Sequence, residues 1–288
     1  MTKKIFWLAS YPKSGNTWVR AFLTNLLKEE GKHFDINNMI GGPIASSRNL
    51  VDDYTGMEST DFSVNEIEEL RPDSLSFFAQ NLEKDKWFMK IHDAYTLLPD
   101  GRPLVPADIS LGALYLVRNP LDVAISFANH HGISLNKMIP LMAKSTYALS
   151  DSFKGIRKQL KQKLLTWGEH YESWAKQQAI PVLVIRYEDM KAEPLKTFRK
   201  IVDFFNLDKT NEQIQEALHA CEFDKLKKAE QKTGFTEKNK SGGAFFHKGK
   251  TGSWREELSP EQVEILLHDH KKVMLNLNYL NENGQPVY

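Results

Sequence analysis

FWLASYPKSGNTWVRAFLTNLL, residues 6–27, joins two hydrophobic patterns of different period. An unbroken apolar run ends at Ser10, and a polar hinge follows from Ser10 to Thr17. Beyond it Trp18, Val19, Phe22, Leu23, Leu26 and Leu27 recur at helical spacing. The reading is a buried strand, a tight turn and an amphipathic helix. In a parallel α/β sheet, ligands sit at the carboxyl ends of strands. A turn entering a helix there aims several backbone N–H groups and the positive end of the helix dipole at one point. Gly15 lets the backbone approach an anion closely, Ser14 and Thr17 add hydroxyl donors, and Lys13 adds a full charge. These groups make a phosphate cradle; the bland alternative is an ordinary strand–turn–helix with a solvated Lys13. The hinge is not a nucleotide-triphosphate loop, because the lysine precedes Gly15 by two instead of following a second glycine. It is not a hydrolase nucleophile elbow either, since Pro12 occupies the first glycine position.

Three further apolar runs, Trp87–His92, Leu114–Arg118 and Pro181–Tyr187, read with Ile5–Ser10 as strands buried on both faces. Between them lie helical patterns from Thr17 to about Glu30 with Gly31 as C-cap, from near Leu121, and from about Ser152 to Gln178. A last helix is marked by Ser259 as N-cap, Pro260 at its first position and Gln262 closing a capping box. Segment 234–252, rich in Gly and Lys, reads as a mobile loop. The alternation predicts an α/β fold with a mostly parallel sheet, in one domain over 1–288.

With 38 Lys plus Arg against 37 Asp plus Glu, the near-neutral balance gives no reason to expect nucleic acid or an acidic membrane as partner. The single cysteine, Cys221, allows no internal disulfide and suits a reducing compartment. The apolar stretch Ile5–Ala9 is too short for a signal peptide, and no run approaches the roughly 20 apolar residues of a membrane span. A cytoplasmic protein is expected.

The string Y-P-K-S-G-N-T-W, residues 11–18, resembles the phosphosulfate-binding loop of the cytosolic-type sulfotransferases, which use 3′-phosphoadenosine 5′-phosphosulfate (PAPS) as donor. Further motifs extend the resemblance. YLVRNPLDVAISF (115–127) matches the family signature Y-x-x-R-N-P-x-D-x-x-x-S that binds the donor's 3′-phosphate. Arg118 then sits at a strand end, Pro120 opens the next helix, and an arginine fork suits a dianionic phosphate. FMKIHDAY supplies the family's K-x-H as Lys90 and His92. Two residues apart on a strand, these side chains share a face. A histidine of near-neutral pKa can accept a proton from a hydroxyl or amine, although a lone strand histidine is by default structural. Asp93 is either a partner of this site or an exposed neighbour. VIRYEDM (184–190) and CEFDKLKK (221–228) resemble segments that place Tyr187 and Phe223 by the adenine, with Trp18 as the other adenine contact. HKGKTGSW (247–254) keeps Lys248, Gly249, Gly252 and Trp254 of R-K-G-x-x-G-D-W, but His247 replaces arginine and Ser253 replaces aspartate. Losing the permanent charge implies weaker donor binding or compensation by Lys250. The loop is expected to close over the nucleotide.

The resemblance implies a P-loop-like three-layer fold, with a central, mostly parallel sheet flanked by helices. It also implies in-line transfer of a sulfuryl group to a small-molecule hydroxyl or amine. In that reading His92 takes the acceptor's proton and Lys13 meets charge on the bridging oxygen. Lys90 and the N–H groups of Ser14, Gly15, Asn16 and Thr17 hold the sulfuryl oxygens. Arg118 and Ser126 grip the 3′-phosphate, joined by His247, Lys248 and Gly249, and Ser126 restrains Lys13. No metal is required. His130–His131 and His268-Asp269-His270 lack metal-site spacing and read as surface groups, with an acceptor-lining role for the first pair as the alternative. Glu188 and Asp189 read as structural. Proline replaces valine in the family's dimer motif (Arg255, Ser259, Pro260, Glu264), so dimerisation by that route is not implied and oligomeric state stays open.

Two rivals remain. A small-molecule P-loop kinase predicts Mg²⁺ and ATP dependence and an acidic residue at a strand end, which the strand ending in Arg118 lacks. A non-catalytic nucleotide-binding protein would fit His247 but not intact Lys13, Lys90 and His92. Acceptor identity is not legible: segments 32–86 and 132–166 fall where the family's acceptor pocket varies. Their aromatics (Phe34, Tyr54, Phe62, Phe77, Phe78, Tyr147) suit core more than pocket, and the basic run Lys154–Lys163 suits a solvated helix face.

Overall fold

The computed structural model describes residues 3–29, 31–151, 158–239 and 241–287. In chain order the elements begin β1 (Ile5–Ser10), α1 (Asn16–Leu27), α2 (Arg48–Thr55), a 3₁₀ turn (Ser59–Asp61), α3 (Val64–Gln80), β2 (Trp87–Ile91) and β3 (Ser110–Val117). Next come α4 (Pro120–His131), α5 (Leu135–Met142), β4 (Ala148–Leu149), β5 (Gln162–Lys163), α6 (Trp167–Lys176) and β6 (Val182–Arg186). The chain closes with α7 (Tyr187–Ala192), α8 (Pro194–Phe204), α9 (Asn211–Ala220), α10 (Phe223–Thr233), α11 (Trp254–Glu257) and α12 (Pro260–Asn276). A four-stranded, mostly parallel sheet has the order β2-β1-β3-β6, and β4 pairs antiparallel with β5. The α/β fold expected from the alternation of patterns is therefore present.

The chain groups into two compact units. The first holds Met1–Tyr11, Gly41–Tyr115 and Ser145–Val184. Its centre is β1, buried at all six residues, as an apolar run covered on both faces requires. Trp7 is fully buried, and its indole N–H still finds an acceptor, Ser110 Oγ at 2.7 Å. β1 pairs with β2 in parallel, with Leu8 opposite Lys90 and Ala9 opposite Ile91.

The second unit holds Pro12–Ile40, Leu116–Lys144 and Ile185–Tyr288. In α1, Val19, Phe22, Leu23 and Leu26 form the buried stripe, with Phe22 against Phe198 of α8 at a centroid distance of 4.5 Å. α4 starts as its Asn-Pro sequence dictates: Asn119 Oδ1 accepts the Leu121 N–H at 3.0 Å, and Pro120 fills the first helical position. The capping box at α12 is formed as expected, Ser259 and Gln262 each accepting the other's backbone N–H.

Several expectations are corrected. α1 ends at Leu27 with extended Lys28 as its C-cap, so Gly31 does not cap it. The helix expected over Ser152–Gln178 is confined to Trp167–Lys176, where Thr166 and Glu169 form a capping box; residues 152–157 lie outside those described. Within the basic run, Gln162–Lys163 is strand instead of a helix face, and its start from Lys154 falls on those same residues. β3 begins four residues earlier than its apolar run, because Ser110, Gly112 and Ala113 carry too little side chain to signal a strand. None of the six candidate aromatics is core: Tyr54 and Phe77 are exposed against each other, and Phe62 lines a cavity of about 390 Å³ with Arg48, Ile67 and Leu104.

Because Leu8 is fully buried in the central strand, Leu8→Ala removes apolar surface and leaves a cavity. A loss of about 2–5 kcal/mol in unfolding free energy is expected, to be read by urea denaturation.

Candidate active site

In the first unit, Lys90 lies in β2 and is half-buried, and His92 stands one residue beyond the strand's end. The parallel register brings Ser10, last residue of β1, to the His92 ring. His92 Nδ1 is 2.9 Å from the Ser10 carbonyl oxygen and 3.3 Å from Ser10 Oγ. A carbonyl only accepts, so Nδ1 carries a proton, and in the neutral ring the lone pair then falls to Nε2.

Asp93 proves to be a buried partner of this region. It is fully buried and takes both guanidinium ends of Arg71 from α3, each at 2.8 Å, plus the Lys163 N–H at 3.2 Å. Arg71 also donates to the Lys161 carbonyl at 3.0 Å. Two donors from α6 reach the same dipeptide: His170 Nε2 to the His92 carbonyl and Trp174 Nε1 to the Asp93 carbonyl, both at 3.0 Å. His170 Nδ1 then accepts from the Tyr115 hydroxyl at 2.8 Å. Full burial pushes the His170 pKa down to about 4, so this ring stays neutral and keeps one donor and one acceptor. Sequence reasoning missed His170 and Tyr115 as parts of this site.

In the second unit the polar hinge forms a turn with two residues in the left-handed region, Lys13 at φ 70° and Gly15 at φ 103°. A Cβ at Gly15 would sit 2.8 Å from the Tyr187 ring, so this glycine is demanded by backbone angle and by space. Ser14 is fully buried and its hydroxyl has no hydrogen-bond partner among the described residues. The Arg118 guanidinium stacks over Tyr187 at 4.6 Å and donates to the carbonyls of Lys13 (3.3 Å) and Lys250 (2.9 Å), while its buried Nε–H has no partner among the described residues. Two buried donors left over at a loop whose helix N-terminus begins at Asn16 fit an anionic phosphate group. Thr17 and Trp18 open α1; Trp18 lies edge-on to Tyr187 at 6.0 Å. Ser126 is half-buried on α4.

The segment 247–254 meets this loop within the same unit. The Tyr187 hydroxyl donates to the Gly249 carbonyl at 3.3 Å, and a Cβ on Gly249 would strike the Phe223 ring at 2.3 Å. Asp122 ties the segment down by accepting the N–H groups of Gly252 (2.8 Å) and Trp254 (3.2 Å). That duty was not read from the sequence, although Asp122 is a fixed letter of the matched signature. Lys248 pairs with Glu257 at 2.8 Å, which holds its pKa above the usual value, and His247 is exposed. Phe245 was also missed: its ring lies 3.7 Å from the Lys13 ammonium. His130 sits edge-on to that ring at 5.8 Å.

The expectation that the histidine pairs lie at the surface is corrected in part. His268 is exposed, but His270 is buried, and burial pushes its pKa down to about 4. His131 is half-buried against Phe127, and burial together with the charge of Lys13 lowers its pKa. Glu188 is structural: it accepts the Asn119 N–H at 3.0 Å and the Tyr279 hydroxyl at 2.7 Å. Among the described residues, no three His, Cys, Asp or Glu side chains group as a metal site, and no helix is long and apolar enough to cross a membrane.

Comparison with known proteins places the chain in a family. A sequence profile described as the sulfotransferase domain matches residues 3–277. The chain belongs to that family and is a sulfotransferase. It is 26% identical over 279 residues to sulfotransferase 1A1 of Bos taurus, covering 93% of this chain and 82% of that one. A mouse sulfotransferase complexed with PAP superposes with a TM-score of 0.60 at 19% identity, over 98% of this chain and 86% of the other. Retinol dehydratase, solved with androsterone and the inactive cofactor PAP, gives 0.64 at 20% identity, over 97% and 83%. Both confirm the fold.

The buried histidines predict a pH dependence of stability. His270 has a folded pKa of about 4 against an ordinary 6.5, so the unfolded chain binds the extra proton. The stabilisation is complete above about pH 6.5 and is lost as pH falls toward 4, amounting to about 2 kcal/mol at pH 5. In urea denaturation at about pH 7.5 and about pH 5, the drop for His270→Phe should be smaller than the parent's by that amount; equal drops would contradict it.

Proposed function

We propose that the chain transfers the sulfuryl group of PAPS directly to a hydroxyl or amine of a small-molecule acceptor, releasing adenosine 3′,5′-bisphosphate. The observation that carries this reading is the 2.9 Å hydrogen bond from His92 Nδ1 to the Ser10 carbonyl, which leaves Nε2 as the proton acceptor. As the acceptor O–H or N–H gives its proton to His92 Nε2, a new bond forms from that O or N to sulfur. The bridging S–O bond breaks, and its electron pair leaves with the nucleotide. Lys13 meets charge growing on the bridging oxygen, while Lys90 and the N–H groups of Ser14, Gly15, Asn16 and Thr17 hold the sulfuryl oxygens. Positioning and charge stabilisation then supply the catalysis.

The 3′-phosphate falls to Arg118 and Ser126, with His247, Lys248 and Gly249 from the neighbouring segment, and Ser126 restrains Lys13 until the acceptor arrives. Trp18, Tyr187 and Phe223 flank the adenine. The buried donors of Ser14 and Arg118 support an anionic ligand at this loop. PAP in the solved relatives supports the donor, and androsterone in one of them supports a small hydroxyl acceptor. No step asks for a metal, since lysines and backbone dipoles supply the positive charge. The family profile spans 3–277 as one domain, supporting a single sulfotransferase domain over 1–288, and relatives described as cytosolic support a cytoplasmic home.

Mass-detected sulfate transfer to a panel of phenols, alcohols and amines tests the reaction. His92→Ala should lower turnover by about 10²–10⁴-fold while adenosine 3′,5′-bisphosphate still binds in calorimetry; unaltered turnover would remove His92 from the base role. Arg118→Ala should weaken that binding by about tenfold or more, the scale of a lost charge-assisted contact; equal binding would contradict its assignment.

A further inference from the structure

We infer that His170 and Tyr115 are positioning residues for the catalytic base, acting through a buried hydrogen-bond chain that fixes the main chain at His92. The chain runs from the Tyr115 hydroxyl to His170 Nδ1 at 2.8 Å, then from His170 Nε2 to the His92 carbonyl at 3.0 Å. The inference rests on the reading of His92 as the base.

The need for such a device follows from where β2 stops. The strand ends at Ile91, so His92 and Asp93 lie beyond the sheet ladder, and their carbonyls must find other donors. Both donors come from α6: His170 takes the His92 carbonyl and Trp174 takes that of Asp93. The Asp93 side chain is held separately by Arg71, and the next residue, Ala94, donates its N–H to the Lys163 carbonyl at 2.8 Å. The His92 ring is pinned on its other side by Ser10. A group that must meet a reacting proton gains from such restraint, because misplacement by about 1 Å costs on the order of a hundredfold in rate.

The chain also fixes its own polarity. His170 Nε2 faces a carbonyl, so it must carry the proton, and Nδ1 must accept from Tyr115. Tyr115 and His170 are both buried, and burial keeps His170 uncharged. Tyr115 is the first letter of the Y-x-x-R-N-P signature, three residues before the arginine, and this contact gives its hydroxyl a duty apart from donor binding.

The test compares His170→Leu, His170→Gln and Tyr115→Phe with the parent and with His92→Ala. Glutamine presents an amide donor where Nε2 stood; leucine presents none; phenylalanine deletes only the Tyr115 hydroxyl. Turnover is measured on 2-naphthol, 2-naphthylamine and a sterol alcohol. Binding of adenosine 3′,5′-bisphosphate and ¹⁵N spectra of the histidine rings need no acceptor. Expected for His170→Leu is a fall in turnover of about tenfold or more, nucleotide binding within about twofold, and a His92 signal averaged between tautomers. His170→Gln should recover most of the turnover and the parent's single Nδ1–H tautomer, and Tyr115→Phe should fall between. If His170→Leu does not fold, Tyr115→Phe decides by the same readouts. Parental turnover and tautomer in the folded variants, or a glutamine variant as impaired as leucine, overturns the positioning role while a dead His92→Ala leaves the base standing. If His92→Ala itself turns over normally, the base reading falls and this inference with it. Should no probe acceptor be sulfated, the ring spectra alone decide between the two outcomes.

Discussion

The first unit depends on the register between β1 and β2. Leu8 must lie opposite Lys90 for Ser10 to reach the His92 ring, and a slip of one residue would turn every side chain of β1 to the opposite face. Burial of all six β1 residues makes that slip costly. Through this register, apolar packing decides which nitrogen of His92 carries a proton. The Arg71–Asp93 pair completes the arrangement. Its two charges are tolerated in the interior because each carboxylate oxygen meets a guanidinium nitrogen at 2.8 Å.

The second unit is organised differently, around a turn closed in by packing and hydrogen bonds. Left-handed backbone at Lys13 and Gly15 turns the chain into α1. Tyr187 packs so near Gly15 that no side chain fits there, and the Arg118 guanidinium stacks on the same tyrosine ring. Hydrogen bonds from Arg118 to the carbonyls of Lys13 and Lys250, and from the Gly252 and Trp254 amides to Asp122, tie loop to loop. Aromatic surfaces pack around the turn, and the leftover donors of Ser14 and Arg118 supply the polarity.

Much of this was legible because it is local. The Ser10–Thr17 hinge, the Asn119-Pro120 start of α4 and the capping box of α12 are written in adjacent residues, and each formed as expected. Failures came where long-range packing overrides local pattern. The residues 158–163 read as a basic helix, yet Leu160 donates to the Ser46 carbonyl, Ala94 to that of Lys163, and Arg71 to that of Lys161. Bonds to distant segments satisfied that backbone, so no helix was needed there. Gly31 looked like a helix cap by composition, but extended Lys28 had already ended α1.

The sequence by itself determined residue identities and local shape: a strand–turn–helix hinge around Gly15, a lysine and a histidine two apart, and an arginine ahead of a proline-led helix. Those follow from residue type and short spacing, which the chain carries without folding. Only tertiary structure decided which partners those groups have: Asp93 with Arg71, 22 positions apart, or His170 with the His92 carbonyl, 78 apart. Burial makes the difference, since a polar group removed from water must find a partner wherever the fold supplies one.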